Sequence, residues 1–208
     1  MTTVQKDMIK DVLYEDAESI MLCLQGRVVM ENEEDKDVFN KKDEFGRNVL
    51  ITASMLGRSD MVRELVQHGA QVNEQSTRGY SSLHLAACWG HLETVKTLIE
   101  LQADTQVVTF KGERPVDLAR RYSRTDCVDC LLLAEAKQDL ISFITFIKER
   151  MSDTDKKLPK DEKTLCTRTC AAKLDWIQKF ENPTVADFLA QKKEMEEILQ
   201  HILIKLTT

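Results

Sequence analysis

Three groups of side chains in this sequence have types and spacings that could do chemistry. His84, Cys88 and His91, within "GYSSLHLAACWGHLETVKTL" (79–98), stand at i, i+4 and i+7, which is one face of a continuous helix. Two imidazoles and a thiol on one face could ligate zinc or form a thiol–imidazole pair. Cys127-x-x-Cys130 has the spacing of a redox pair or half a zinc site, and Cys166-x₃-Cys170 could bring the thiolates to four. Which of these readings survives depends on the elements that carry the residues.

The chain has 208 residues, 42% hydrophobic and 31% charged, with only three prolines and seven glycines. That composition suits a soluble, helical, globular protein and disfavours a loop-rich β fold or a disordered chain. The net charge is −6, and residues 1–40 hold all of it, ten carboxylates against Lys6, Lys10, Arg27 and Lys36. "ENEEDKD" (31–37) reads as a solvated acidic loop. No basic stripe matches a phosphate backbone, so no nucleic-acid partner is expected. The start, MTTVQKDMIK, lacks a signal-peptide core, and the longest apolar run, "LISFITFI" (140–147), is too short to span a membrane. The expected location is cytoplasmic, with a nuclear or cytoskeleton-associated pool (division apparatus or cilium) compatible, and the six cysteines are expected to be reduced.

A repeat organises the middle of the chain. Gly46, Gly79 and Gly112 are 33 residues apart, and other positions follow without a gap. Leu50, Leu83 and Val116 coincide; so do Ala53, Ala86 and Ala119, then Val62, Val95 and Val128, and Leu65, Leu98 and Leu131. Gly57 and Gly90 match, with Ser123 in the third copy. The second copy, "RGYSSLHLAACWGHLETVKTLIELQAD", resembles the ankyrin-repeat motif G-x-T-P-L-H-x-A-A-x-x-G-H. Ser81-Ser82 stand where Thr-Pro is usual, and copy three keeps Pro115 with Asp117 in the His position. The resemblance implies an all-α ankyrin solenoid of three repeats over 43–136, divided as 43–75, 76–108 and 109–136. Each copy is then a turn and two antiparallel helices that bury their apolar faces only by stacking on neighbours. "AESIMLCLQG" (17–26) looks like the second helix of a degraded upstream repeat, which makes 1–42 an acidic N-terminal cap. "QDLISFITFIKERM" (138–151), with Leu140, Ile144, Ile147 and Met151 on one face, is expected to cap the other end, over 137–151.

Residues 152–163, polar and containing Pro159, read as a linker. Beyond it two amphipathic helices are expected over 164–208, broken at Asn182-Pro183-Thr184, with Trp176 packing on Phe188 and "TVAD" (184–187) as a capping box. This antiparallel hairpin resembles the C-terminal helical lid of Hsp70 chaperones. Cys170, Trp176, Phe188, Met195 and Lys205-Leu206 follow a C-x₅-W-x₁₁-F-x₆-L pattern ending in Lys-Leu, with Met195 in place of the leucine. The resemblance implies a possible contact with the Hsp70 system, without any ATP-driven cycle of the chain's own.

The ankyrin resemblance removes the metal reading. It places His84 at the start of a first helix, hydrogen-bonded to Ser81, and His91 after Gly90 at the start of the next helix. Gly90 breaks the continuous face. Cys127 and Cys130 fall within a second helix, aligned with Thr94 and Thr97, where a redox pair is out of context. No cofactor, metal or catalytic constellation is expected. The same resemblance puts variable positions on a concave binding face: Phe45, Arg47, Met55 and Leu56, with Glu44, in copy one. Copy two supplies Arg78, Tyr80, Cys88 and Trp89, with Thr77, and copy three Phe110, Lys111, Arg121 and Tyr122, with Glu113. Tyr, Trp and Arg are the types enriched at binding hot spots. Some of these aromatics could instead pack on the N-terminal segment or the capping helix. The expectation is a non-enzymatic adaptor whose protein partner offers apolar anchors and acidic groups for Arg47, Arg78 and Arg121. Cytoskeletal, cell-division or signalling assemblies are the settings the family suggests, and a chaperone-associated factor using the tail is the alternative.

Overall fold

The computed structural model of the chain describes Phe39, residues 42–152 and residues 158–207. The expected N-terminal cap therefore lies outside the described residues except for Phe39 and Lys42, as do residues 153–157 of the expected linker. Among the described residues the regular elements are helices, with one isolated bridge between Gln75 and Ser81.

Contacts divide the chain at Leu131/Leu132 into two units, each taken by itself below. The first contains α1 (Val49–Met55), α2 (Ser59–Gln67), α3 (Ser82–Trp89), α4 (Leu92–Glu100), α5 (Pro115–Arg121) and the opening turns of α6 (Thr125–Ser152). The aligned positions share one environment: Leu50, Leu83 and Val116, Ala53, Ala86 and Ala119, and Leu65, Leu98 and Leu131 are all buried. Alanines on the inner helices α1, α3 and α5 let successive copies approach closely, while Val62 and Val95 anchor the outer ones. Val128 departs from its aligned partners in being only partly buried, and its neighbour Cys127 fills the core.

Each inner helix is started by a local side chain. The Asn48 Oδ1 accepts the Ile51 N–H at 2.9 Å, the Ser81 Oγ accepts the His84 N–H at 3.4 Å, and the Asp117 carboxylate accepts the Arg114 N–H at 2.9 Å before Pro115. Successive turns are tied together. The Thr77 N–H and Oγ1–H both reach the Phe45 carbonyl, and the Phe110 N–H reaches the Arg78 carbonyl at 3.1 Å. Gly46 serves this contact twice over: its φ is +74°, and a Cβ there would lie 2.4 Å from the Thr77 nitrogen.

The second unit holds the rest of α6, then α7 (Lys160–Lys179) and α8 (Val185–Thr207). Here the structure differs from the expectation of a separate capping helix over 137–151. With no Gly or Pro between Thr125 and Ser152, nothing ends the second helix of copy three, and α6 runs unbroken for 28 residues. Its Leu140, Ile144 and Ile147 pack with Cys166 and Cys170 of α7 and Phe188, Met195, Leu199 and Ile202 of α8. The hairpin is thus two parts of a three-helix core. α7 also begins at Lys160, inside the segment read as linker. Trp176 meets Phe188 edge-on at 5.3 Å, and the Thr184 N–H donates to the Asp187 carboxylate at 2.8 Å. The buried Lys173 ammonium is paired with Glu194 at 2.6 Å and Gln191 at 2.8 Å.

Candidate partner-binding face

His84 is fully buried and acts as a strut between copies two and three. Its Nε2 lies 2.9 Å from the Glu113 carbonyl, which can only accept, so the proton sits on Nε2 and Nδ1 is a lone-pair acceptor. Nδ1 accepts the Ser81 N–H at 3.1 Å and lies 2.9 Å from the Ser81 Oγ. Burial pushes the ring's pKa down, against the opposing pull of the Glu113 carbonyl and of the Glu113 and Asp117 charges. A neutral imidazole with both nitrogens committed offers no lone pair to a metal.

Gly90, at φ +80°, ends α3, and His91 precedes α4, so the apparent His84–Cys88–His91 face is split. His91 spans a joint instead. Its Nε2–H donates to the Met55 carbonyl at 3.0 Å, and its ring fills the space a Cβ on Gly57 would need. One repeat later Arg124 does the same work: its Nε–H donates to the Cys88 carbonyl at 3.3 Å and its stem lies against Gly90. In the sequence His91 reads only as a helix start, and Arg124 belongs to no motif. The signal was present in the basic residues Arg58, His91 and Arg124 at one repeat position.

The five described thiols, Cys88, Cys127, Cys130, Cys166 and Cys170, are free; Cys23 lies outside the described residues. Burial pushes each of the five up in pKa, at Cys88 against the lowering pull of Arg124 and Arg121. That works against thiolate chemistry. Among the described residues no three His, Cys, Asp or Glu side chains group as a metal site would require. Nor is any helix there long and apolar enough to cross a membrane.

The residues expected to bind a partner fall into two groups. On the turns, Phe45 is 57% and Phe110 63% exposed, each with a cation over its ring, Arg47 at 4.9 Å and Lys111 at 5.6 Å. Arg78 is exposed, while Tyr80 is half-buried with its ring edge-on to His84 at 6.1 Å. At the ends of the inner helices Leu56, Trp89 and Tyr122 occupy one repeat position. Leu56 is half-buried, Trp89 is 56% exposed and Tyr122 51%. Met55 and Cys88 beside them are half-buried, and Arg121 is exposed.

The three arginines are not equivalent. The Arg47 guanidinium is held by the Asp43 carboxylate at 2.8 and 2.9 Å, and Arg121 is paired with Glu113. Among the described residues no side-chain partner holds Arg78, which leaves it and Lys111 the cations most open to an incoming carboxylate. Glu113, read in the sequence as a face position, is largely buried and links the two groups. Its carboxylate takes Arg121 and its carbonyl takes His84 and the Thr109 N–H.

Comparison with known proteins agrees with this architecture. A family model described as "Ankyrin repeats (3 copies)" matches residues 13–109, starting within the segment read as a degraded repeat and stopping where copy three begins. Ankyrin repeats generally mediate protein–protein interaction. Ankyrin repeat domain-containing protein 45 of Danio rerio is 45% identical over 206 residues, covering 97% of this chain and 92% of its own length. Its namesake in Homo sapiens is 34% identical over 210 residues, covering all of this chain and 79% of its own, and that of Mus musculus is 33% identical, covering all of this chain and 85% of its own. With exposed aromatics on three stacked ankyrin copies and relatives matching along nearly its whole length, the chain belongs to the ankyrin repeat domain-containing protein 45 family.

Proposed function

We propose that the chain is a non-enzymatic adaptor whose ankyrin face binds a protein segment carrying apolar anchors and acidic groups, while the C-terminal unit binds or orients a second protein. The observation that carries this reading is the exposure of Trp89 and Tyr122 at one repeat position, with Phe45 and Phe110 exposed on the turns. Large amphipathic rings left in water on a rigid scaffold bury much area at small entropic cost when a partner arrives. Arg78 and Lys111 supply the positive charge, and the paired Arg47 and Arg121 are oriented in advance. Cytoskeletal, cell-division or signalling assemblies in the cytoplasm are the settings this reading favours.

The test is proximity labelling with wild-type protein and the Trp89→Ala/Tyr122→Ala double variant. The partner set should drop out of the variant while its circular dichroism melt stays within a few degrees of wild type. An unchanged set refutes the face, and a large loss of melting temperature shows the rings to be core.

A second reading assigns the C-terminal unit a contact with the Hsp70 system. It is favoured by the exposed Phe180, Leu189 and Ile204 on a unit with its own core, and by a hollow of about 500 Å³ beside Phe143, Leu203 and Ile204. Recovery of Hsp70 or its co-chaperones by the full chain, lost on Leu189→Asp/Ile204→Asp, supports it; recovery unaffected by those changes counts against it.

A further inference from the structure

Copy three departs from the other two just after its first helix. Where α1 and α3 are followed by Gly57 and Gly90, both at positive φ, α5 is followed by Ser123 at φ +55°. A side chain in that backbone region is strained, and here it carries a hydroxyl. The residues before it read Arg120-Arg121-Tyr122-Ser123, Arg124 follows, and every residue from 120 to 126 is exposed. Basophilic serine kinases recognise arginines two and three residues before the acceptor by setting carboxylates against them. The chain has another R-x-x-S, from Arg78 to Ser81, but that hydroxyl is buried and committed to His84. Burial thus separates the two sites where sequence alone does not.

We infer that Ser123 is a phosphorylation site for a basophilic serine kinase and that the phosphate weakens binding at the Trp89–Tyr122 end of the face; the second half rests on the adaptor reading. In the transfer, the Ser123 Oγ attacks the γ-phosphorus of a magnesium-bound nucleoside triphosphate. The new O–P bond forms as the bond to the bridging oxygen breaks, the nucleoside diphosphate leaves, and the hydroxyl proton passes to the kinase's catalytic carboxylate. Kinases read an extended segment, so the last turn of α5 opens first. Just after the helix, backbone bonds run from Tyr122, Ser123 and Arg124 to the carbonyls of Leu118, Arg120 and Ala119, and these must give way.

The phosphate lands among cations already in use. Arg121 is paired with Glu113, Arg120 lies 3.7 Å from Asp117, and Arg124 bonds the Cys88 carbonyl. A dianion with three acceptor oxygens competes for all of them and takes the charge of 120–124 from +3 to about +1. Drawing Arg124 away also disturbs the joint next to Trp89. An acidic segment docking there meets a weaker net attraction, with repulsion close to the phosphate itself.

The full chain is incubated with the catalytic subunit of cyclic-AMP-dependent protein kinase, ATP and magnesium, and phosphopeptides are mapped by mass spectrometry. The expected result is close to one phosphate on Ser123, at least ten-fold slower incorporation in Arg120→Ala, and none there in Ser123→Gly, which folds because glycine fills this position in the other copies. Phosphate going elsewhere while Ser123 stays unmodified, or modification only in denaturant, overturns the site. For the second half, a fluorescent synthetic peptide of glutamates and phenylalanines is titrated by anisotropy. Phosphorylation should weaken its binding at least five-fold in wild type and not in Ser123→Gly. Equal binding to both forms refutes the charge mechanism. Binding to neither refutes the chemistry assigned to the face, leaving the mapped phosphate to be judged on its own result.

Discussion

Replacing His84 with alanine separates a structural histidine from a reactive one. The ring's removal strips the Ser81 N–H of its acceptor inside a fully buried site, which costs about 1–3 kcal/mol. The Glu113 carbonyl fares better, because it keeps the Thr109 N–H at 3.0 Å, so its loss lies at the low end of that range. With the space left behind, the total comes to about 2–4 kcal/mol, a large part of the roughly 5–15 kcal/mol that holds a domain together. The effect depends on pH with a definite sign. Burial lowers the folded ring's pKa below its ordinary 6.5, so as pH falls through 6.5 the unfolded chain takes up a proton that the folded one refuses. Wild type is therefore fully stabilised by the neutral ring above 6.5 and loses up to about 1.4 kcal/mol for each pH unit below it. His84→Ala does not have this pH dependence. Its deficit, measured by urea denaturation, should be about 2–4 kcal/mol at pH 7.5 and smaller at pH 5.5. A deficit below about 1 kcal/mol at pH 7.5, or one that widens on acidification, refutes the strut.

Three further outcomes follow from the packing. Phe188→Ala should destabilise the C-terminal unit by about 3–5 kcal/mol, read as a change in the fluorescence of Trp176, 5.3 Å away, with Trp89 unaffected. Gly90→Ala should cost about 1–2 kcal/mol, since φ is +80° and the new Cβ would lie 2.8 Å from the Arg124 stem, whereas Ser123→Gly should gain up to about 1 kcal/mol; thermal melts of the pair check both signs. Native-state alkylation with iodoacetamide at pH 7.5 should be slow at Cys127, Cys166 and Cys170, which are buried with raised pKa values, and each should react freely once urea unfolds the chain.

The repeat register was legible in sequence because stacking imposes one environment on each aligned position. Leu65, Leu98 and Leu131 must all be apolar, whatever surrounds them. The Ser81–His84 bond and the break at Gly90 were legible for the same reason. The extent of α6 was not: sequence offers a strong stop only where Gly or Pro intervenes, and the apolar face of Leu140, Ile144 and Ile147 suits a cap or a bundle equally. Nor does a list of exposed arginines reveal which are already paired. Asp43 is four residues before Arg47, a spacing a reader could use, but Glu113 and Arg121 are eight residues apart, one before α5 and one at its end, and no helical spacing rule pairs them.

The face and its regulation share the repeat's logic. At positions 57, 90 and 123 the scaffold asks for a left-handed residue, and at 58, 91 and 124 it holds a basic side chain; His91 and Arg124 are seen spanning the joint to the previous copy. Stability alone favours glycine at the first position of each pair. Copies one and two comply and copy three does not, although its exposed position involves no packing that needs a hydroxyl. The strain at Ser123 is a local cost that glycine would relieve. It falls beside Tyr122, and Arg124 ties it to the backbone under Trp89, the two rings most exposed at the helix ends. A charge placed there sits beside the rings proposed to bind the partner, within a stretch, 120 to 126, that is exposed throughout.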